Sequence, residues 1–76
     1  MLVILKEKTV NFSKDRIDEF WVDGDELIYT TVGDVNVEKL LLRAKDEVEA
    51  HKIYDKITLG WRNNWSEVLL REQTSE

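Results

Sequence analysis

Several residue types that define common classes of functional site are absent or rare in this 76-residue chain. It has no cysteine, which excludes disulfides, thiolate nucleophiles and cysteine-ligated zinc or iron–sulfur sites. It has no proline to mark helix breaks, and its three glycines are isolated, which excludes a glycine-rich phosphate loop. Small secreted domains usually depend on disulfides, so we expect a cytoplasmic protein.

Long apolar runs are also missing. The opening Met1 to Leu5 segment ends at Lys6-Glu7-Lys8, far short of a signal peptide or a membrane span, and we expect no membrane association. With 42% hydrophobic and 36% charged residues, a chain of this length can form one soluble core. We predict a single domain over residues 1–72 and a frayed tail over residues 73–76.

Catalytic and metal-binding constellations are not evident. His51 is the single histidine, and a transition-metal site around it would depend on carboxylates alone. Ser13 and Ser66 have no plausible base other than that one histidine. Paired carboxylates are numerous, but a domain of this size has little depth in which to bury one and shift its pKa. We therefore expect no enzymatic activity and no cofactor or metal.

The first third of the chain has the pattern of short strands. Leu2 to Leu5 and Thr9 to Phe12 are apolar or β-branched runs that predict a hairpin or a pair of edge strands. Ile17 to Val22 and Leu27 to Val32 flank the acidic Asp23-Gly24-Asp25-Glu26 cluster. A calcium loop starting at Asp23 would have Leu27 and Ile28 at its fifth and sixth positions, so the EF-hand template fails and the cluster predicts a tight turn.

Strand alternation assigns the side chains of this second hairpin to two faces. Phe20 and Val22 share one face with Leu27 and Tyr29, while Trp21 lies on the other face. If the loop has four residues, Trp21 is opposite Ile28; if it is a two-residue Asp-Gly loop, Trp21 is opposite Glu26. If a helix covers the first face, Trp21 is either an interface residue or a partly exposed one.

Residues 35–59 are compatible with one long helix or with a strand followed by a helix. The alternation of Val35, Val37 and Leu41 and the helix-capping signal at Asp46 favour a strand to about Arg43 and a helix from about Glu47. Residues 68–70 suit a short final strand. The predicted fold is α+β, a small antiparallel β-sheet of about five strands packed by one amphipathic helix, with a short C-terminal strand.

The run LLRAKDEVEAHKIYDKI, following VDGDELIY, resembles small uncharacterised proteins encoded by phages, prophages and plasmids of Gram-positive bacteria. Those proteins have short N-terminal strands, an acidic turn, a K-[ST]-x-E-E-A helix start and a helix with A-x-x-[VI]-L-D-x-I. The counterparts here are Lys45 to Ala50 and Ile53 to Ile57. The resemblance implies a phage-derived accessory protein and carries no catalytic residue.

The charge distribution is strongly asymmetric. The net charge is −5, and between Arg16 and Lys39 there are seven acids and no base. These acids, with Trp21, are the candidate partner-binding residues: Asp18, Glu19, Trp21, Asp23, Asp25, Glu26, Asp34 and Glu38.

An acidic hairpin of this kind predicts an interaction protein that binds a basic protein partner, for example a host nucleic-acid-binding protein, as an inhibitor or DNA mimic would. Alternatively, the acids only keep an edge-rich sheet soluble. A homo-oligomeric module closed through Trp21 or through the Trp61 and Trp65 end, such as a homodimer, is a further class. Direct nucleic-acid binding is disfavoured, because acids dilute the available bases: Lys6, Lys8, Lys14, Lys52, Lys56 and Arg62.

Overall fold

The computed structural model describes residues 1–70 and confirms the predicted α+β class. In chain order the elements are β1 (Leu2–Leu5), β2 (Thr9–Asn11), β3 (Ile17–Asp23), β4 (Glu26–Thr31), β5 (Asp34–Arg43), α1 (Glu47–Arg62) and β6 (Glu67–Leu70). The predicted boundary at residue 72 and the predicted tail over residues 73–76 lie outside the described residues.

The strands form two three-stranded sheets rather than one antiparallel sheet of about five strands. In the first sheet, β1 lies between β2, which is antiparallel to it, and β6, which is parallel to it. In the second sheet, β3, β4 and β5 form an antiparallel meander. The difference arises because a parallel partner needs a long crossover, here through α1, and the apolar pattern of β6 does not specify which strand it joins.

One hydrophobic core lies between the two sheets and α1. Phe12 is fully buried in it and makes edge-on ring contacts with Phe20 of β3 and Trp61 of α1, with ring centroids 5.0 and 5.6 Å apart. Ile53 and Ile57 supply the buried stripe of the helix. The helix therefore covers the inner face of both sheets and leaves each sheet an outer face.

The boundary between β5 and α1 falls where the sequence predicts it. The Asp46 side chain accepts a hydrogen bond from the Glu49 amide at 2.8 Å, which satisfies one of the free amides of the first helical turn. The Glu49 carboxylate in turn accepts from the Lys45 amide at 3.0 Å. This reciprocal cap confirms a strand that ends at Arg43 and a helix that starts at Glu47.

The C-terminal end of α1 is closed by a Schellman motif. Asn64 has a φ of 57°, in the left-handed region, and its amide donates to the Trp61 carbonyl at 3.4 Å. The Trp65 amide donates to the Gly60 carbonyl at 2.9 Å, and the Trp65 ring packs on Gly60. The chain then enters β6, which confirms the predicted final strand. Within residues 1–70, no helix is long and apolar enough to cross a bilayer.

Candidate functional site

The turn between β3 and β4 positions the candidate site. Trp21 is the register partner of Ile28 and Asp23 that of Glu26, so Gly24 and Asp25 are the two central turn residues. Gly24 has a φ of 63°, as the first central residue of a type II′ turn requires. Of the two predicted pairings, the register has Trp21 opposite Ile28, but with a two-residue Gly24-Asp25 loop rather than the four-residue loop expected for that pairing.

The two faces of the second sheet have different surroundings. Phe20, Val22, Leu27 and Tyr29 lie in or against the hydrophobic core. Because side chains alternate along a strand, the neighbouring residues of β3 and β4 point away from α1. We call this outward surface the acidic face and define it by Glu19, Trp21, Asp23, Glu26 and Glu38.

Trp21 lies on β3 between Glu19 and Asp23 of the acidic face and is half-buried. Ile28, its partner across the strands, is only 8% exposed although it does not belong to the core cluster. Its register partners are Trp21 on β3 and Leu40 on β5, and these cover it. The acidic face therefore has an apolar centre formed by Trp21, Ile28 and Leu40.

A large bulge in β5 builds a groove beside Trp21. Tyr29 pairs with Lys39 and Thr31 with Asp34, so the single residue Thr30 lies opposite residues 35–38. The extra residues leave the ladder. The resulting Trp21 groove has a volume of about 360 Å³. It is lined by Glu19, Trp21, Thr30, Val35, Asn36 and Glu38.

Thr30 fixes the base of the Trp21 groove. Its side chain is buried, and its hydroxyl oxygen accepts a hydrogen bond from the Glu19 amide at 3.2 Å. This bond spans the irregularity in β3 at Asp18, where the register shifts between Ile17 and Glu19. The backbone that carries Glu19 is therefore held against β4.

Two of the seven acids between Arg16 and Lys39 have countercharges, which are supplied by bases outside that segment. Arg43 forms an ion pair with Glu26, and Lys39 lies 3.7 Å from the Asp34 carboxylate. The hydrogen bond that the Arg43 guanidinium donates to the Glu26 carboxylate raises the pKa of Arg43, which keeps the guanidinium charged. Both bases come from the second half of β5, which antiparallel pairing folds back beside β4.

Two further predicted acids lie away from the acidic face. Asp18 lines a separate groove with Lys14 and Arg62, near the end of α1. Asp25 lies at the turn, where its backbone carbonyl accepts from the Ala44 amide at 2.7 Å. With Asp34 held by Lys39, the acidic face retains five of the eight predicted residues.

The structure adds Val35 and Asn36, which sequence reasoning did not select. The alternation of Val35 and Val37 indicates a strand, but Val35 is 52% exposed because its segment bulges from the ladder. The one sequence feature that could have indicated these groove residues is that Val35 and Val37 have no apolar partner on the strand opposite them. On the acidic face, Glu19, Asp23 and Glu38 make no ion pair within residues 1–70.

Within residues 1–70, no group of three histidine or acidic side chains could hold a metal ion. His51 is exposed on α1, 3.8 Å from the Glu47 carboxylate. A groove of about 600 Å³ between the sheets carries charges of both signs, from Lys8, Asp15 and Arg16.

The basic residues do not gather on one surface. Lys52 and Lys56 are exposed on α1, next to Asp55. Lys8 reaches from the β1–β2 turn to the second sheet, where its ammonium group donates to the Leu40 carbonyl at 3.0 Å. That contact occupies a carbonyl on the outer edge of β5.

Comparison with models of protein families, with curated proteins and with solved structures gives no match to this chain.

Proposed function

We propose that the protein is a non-enzymatic interaction protein that binds a basic protein partner through the acidic face. The observation that carries the proposal is the placement of Trp21, which lies half-buried on the outer side of the second sheet, among carboxylates and away from α1. Tryptophan at the centre of a polar rim is typical of binding hot spots.

The charge of this surface favours a cationic partner. Glu19, Asp23, Glu26 and Glu38 face outwards with Arg43 as the neighbouring base. A surface of one predominant sign attracts partners of the opposite sign, accelerates their association and repels like-charged molecules. The overall charge of −5 acts in the same direction.

The partner class we propose is a nucleic-acid-binding protein of the host cytoplasm. Such proteins carry clustered lysine and arginine that normally neutralise phosphates, and a carboxylate surface can occupy the same groups. The resemblance to phage- and plasmid-encoded proteins supports an accessory or inhibitory role of this kind. In this proposal, the protein acts as a DNA mimic.

Matched charge variants test the proposal. The probe is a fluorescein-labelled 12-residue peptide of alternating lysine and arginine, and fluorescence anisotropy gives its Kd at two salt concentrations. We expect Glu19→Gln/Glu38→Gln to weaken binding by roughly 3- to 10-fold, because two exposed charge contacts are lost.

The control is Glu7→Gln/Asp55→Asn, which changes the net charge equally at two exposed positions outside the acidic face. We expect this variant to bind within about 2-fold of the wild type, since distant exposed charges are screened by salt. Equal weakening by both variants would mean that the peptide senses net charge only and would refute the proposal.

A second candidate function, a homo-oligomeric module, is favoured by the outer face of the first sheet. Leu2 and Leu69 point away from the core and are 42% and 46% exposed, with Ile4 between them. Adjacent exposed apolar side chains of this kind occur at association surfaces. Light scattering across a concentration series tests it, and Leu69→Lys should restore a monomer if a dimer forms.

A further inference from the structure

We infer that the Trp21 groove holds an arginine side chain of the basic partner. The inference depends on the proposed function, because it names the contact by which the acidic face recognises that partner. It follows from the shape and chemistry of the groove rather than from the overall charge.

The walls of the Trp21 groove match a guanidinium group. Glu19 on β3 and Glu38 on β5 supply carboxylates, and Trp21, two residues from Glu19 on β3, supplies an aromatic ring. A guanidinium is planar, stacks on aromatic rings and donates up to five hydrogen bonds in a fixed fork. Cation–π contact with tryptophan is the strongest that the natural aromatic side chains offer.

The remaining lining residues suit the rest of an arginine side chain. Val35 offers an aliphatic wall for the methylene groups, and the Asn36 amide offers a further hydrogen-bond acceptor. The groove volume of about 360 Å³ is near the lower end of ligand pockets, which span roughly 300 to 1,000 Å³. A single inserted side chain therefore fits it better than a large ligand.

Lysine is a weaker match for the same groove. Its ammonium is compact and strongly hydrated, and it cannot stack on the indole or bind both carboxylates as a planar fork. The structure therefore predicts discrimination between two cations of equal charge. A surface that acts only through its net charge would bind both equally.

The test compares hexa-arginine and hexa-lysine peptides of equal length and charge, by calorimetric titration of the full chain. We expect wild-type protein to bind hexa-arginine roughly 2- to 5-fold more tightly than hexa-lysine, as one exposed cation–π contact predicts. The Trp21→Leu variant keeps an apolar side chain but removes the ring, and it should lose most of the preference for hexa-arginine, although Glu19 and Glu38 remain. The circular-dichroism spectrum establishes that this variant is folded.

The outcomes separate this inference from the proposed function. Equal binding of both peptides by the wild type, with weakening by Glu19→Gln/Glu38→Gln, would overturn the arginine contact and leave the basic-partner proposal standing. A preference for arginine that is undiminished in Trp21→Leu would also overturn it. Absence of binding by either peptide would overturn both. If Trp21→Leu does not fold, Trp21→Phe replaces it and should reduce the preference, since phenylalanine is a weaker cation–π partner.

Discussion

Gly60 occupies a position in α1 where alanine would ordinarily be the more stable residue. It is buried within the last turns of the helix, and glycine there is less favourable than alanine by up to about 1 kcal/mol. A Cβ atom at this position would lie 2.6 Å from Cε3 of Trp65 and 3.0 Å from Sδ of Met1. Gly60→Ala therefore has two opposing effects on stability: it improves helix propensity and it disturbs the packing of the Trp65 ring.

The geometry indicates which effect is larger. To restore ordinary contact at 3.4–4 Å, the Trp65 ring must move by about 1 Å or swing away from the helix. If the ring loses about 100 Å² of buried apolar surface, the cost is about 2.5 kcal/mol. After subtraction of the propensity gain, Gly60→Ala should lower the free energy of unfolding by about 1.5 kcal/mol.

A double-mutant cycle measured by urea denaturation checks this reasoning. In a Trp65→Ala background, the Cβ atom no longer meets the ring, so Gly60→Ala should raise the free energy of unfolding by about 0.5–1 kcal/mol. The reversal of sign between the two backgrounds is the specific expectation. If Gly60→Ala stabilises the wild-type chain, or destabilises both backgrounds equally, the inferred ring contact is not the reason for glycine.

Three further predictions concern the helix ends and the core. Asp46→Ala should lower the free energy of unfolding by about 1 kcal/mol in urea denaturation, with the exposed Asp55→Ala as a near-neutral control, because the Glu49 amide loses its acceptor. Asn64→Ala should destabilise the chain by about 1 kcal/mol in the same assay while Asn64→Gly does not, since φ at this position is 57°; equal effects would contradict the Schellman assignment. Burial raises the pKa of Tyr29 above its ordinary value of 10.0, so the folded state favours the neutral phenol. The free energy of unfolding should therefore be unchanged below pH 10 and fall as pH rises through the folded-state pKa. Tyr29→Phe should flatten the decline above pH 10, and an unchanged decline would show that another group causes it.

Local patterns predict the hairpin and the helix of this chain. The alternation around Asp23 to Glu26 identifies both faces of β3 and β4, because side-chain direction along a strand depends only on neighbouring residues. The cap at Asp46 ends the ambiguity over residues 35–59 in the same way, since capping involves atoms only a few residues apart. Trp21 could be assigned to the outer face for this reason.

Long-range pairing could not be predicted in this way. The apolar residues of β6 indicate a strand, but its parallel position beside β1 depends on the crossover through α1. The ion pairs of Arg43 and Lys39 with β4 and β5 acids depend on strand register, so counting bases along the chain missed them. The bulge that brings Val35 to the Trp21 groove contains no proline or glycine among residues 35–38 that would have marked it in the sequence.

Chemical-shift mapping shows whether a basic partner binds at the acidic face, as we propose. Nitrogen-15-labelled protein is titrated with the alternating lysine–arginine peptide at physiological salt. We expect the largest shifts at the amides of Glu19 and Glu38 and at the indole of Trp21, with little change at Lys52 and Lys56 on the exposed side of α1. If the largest shifts lie on α1 or on the first sheet, or if shifts are small and uniform across residues 1–70, the peptide does not bind at the acidic face.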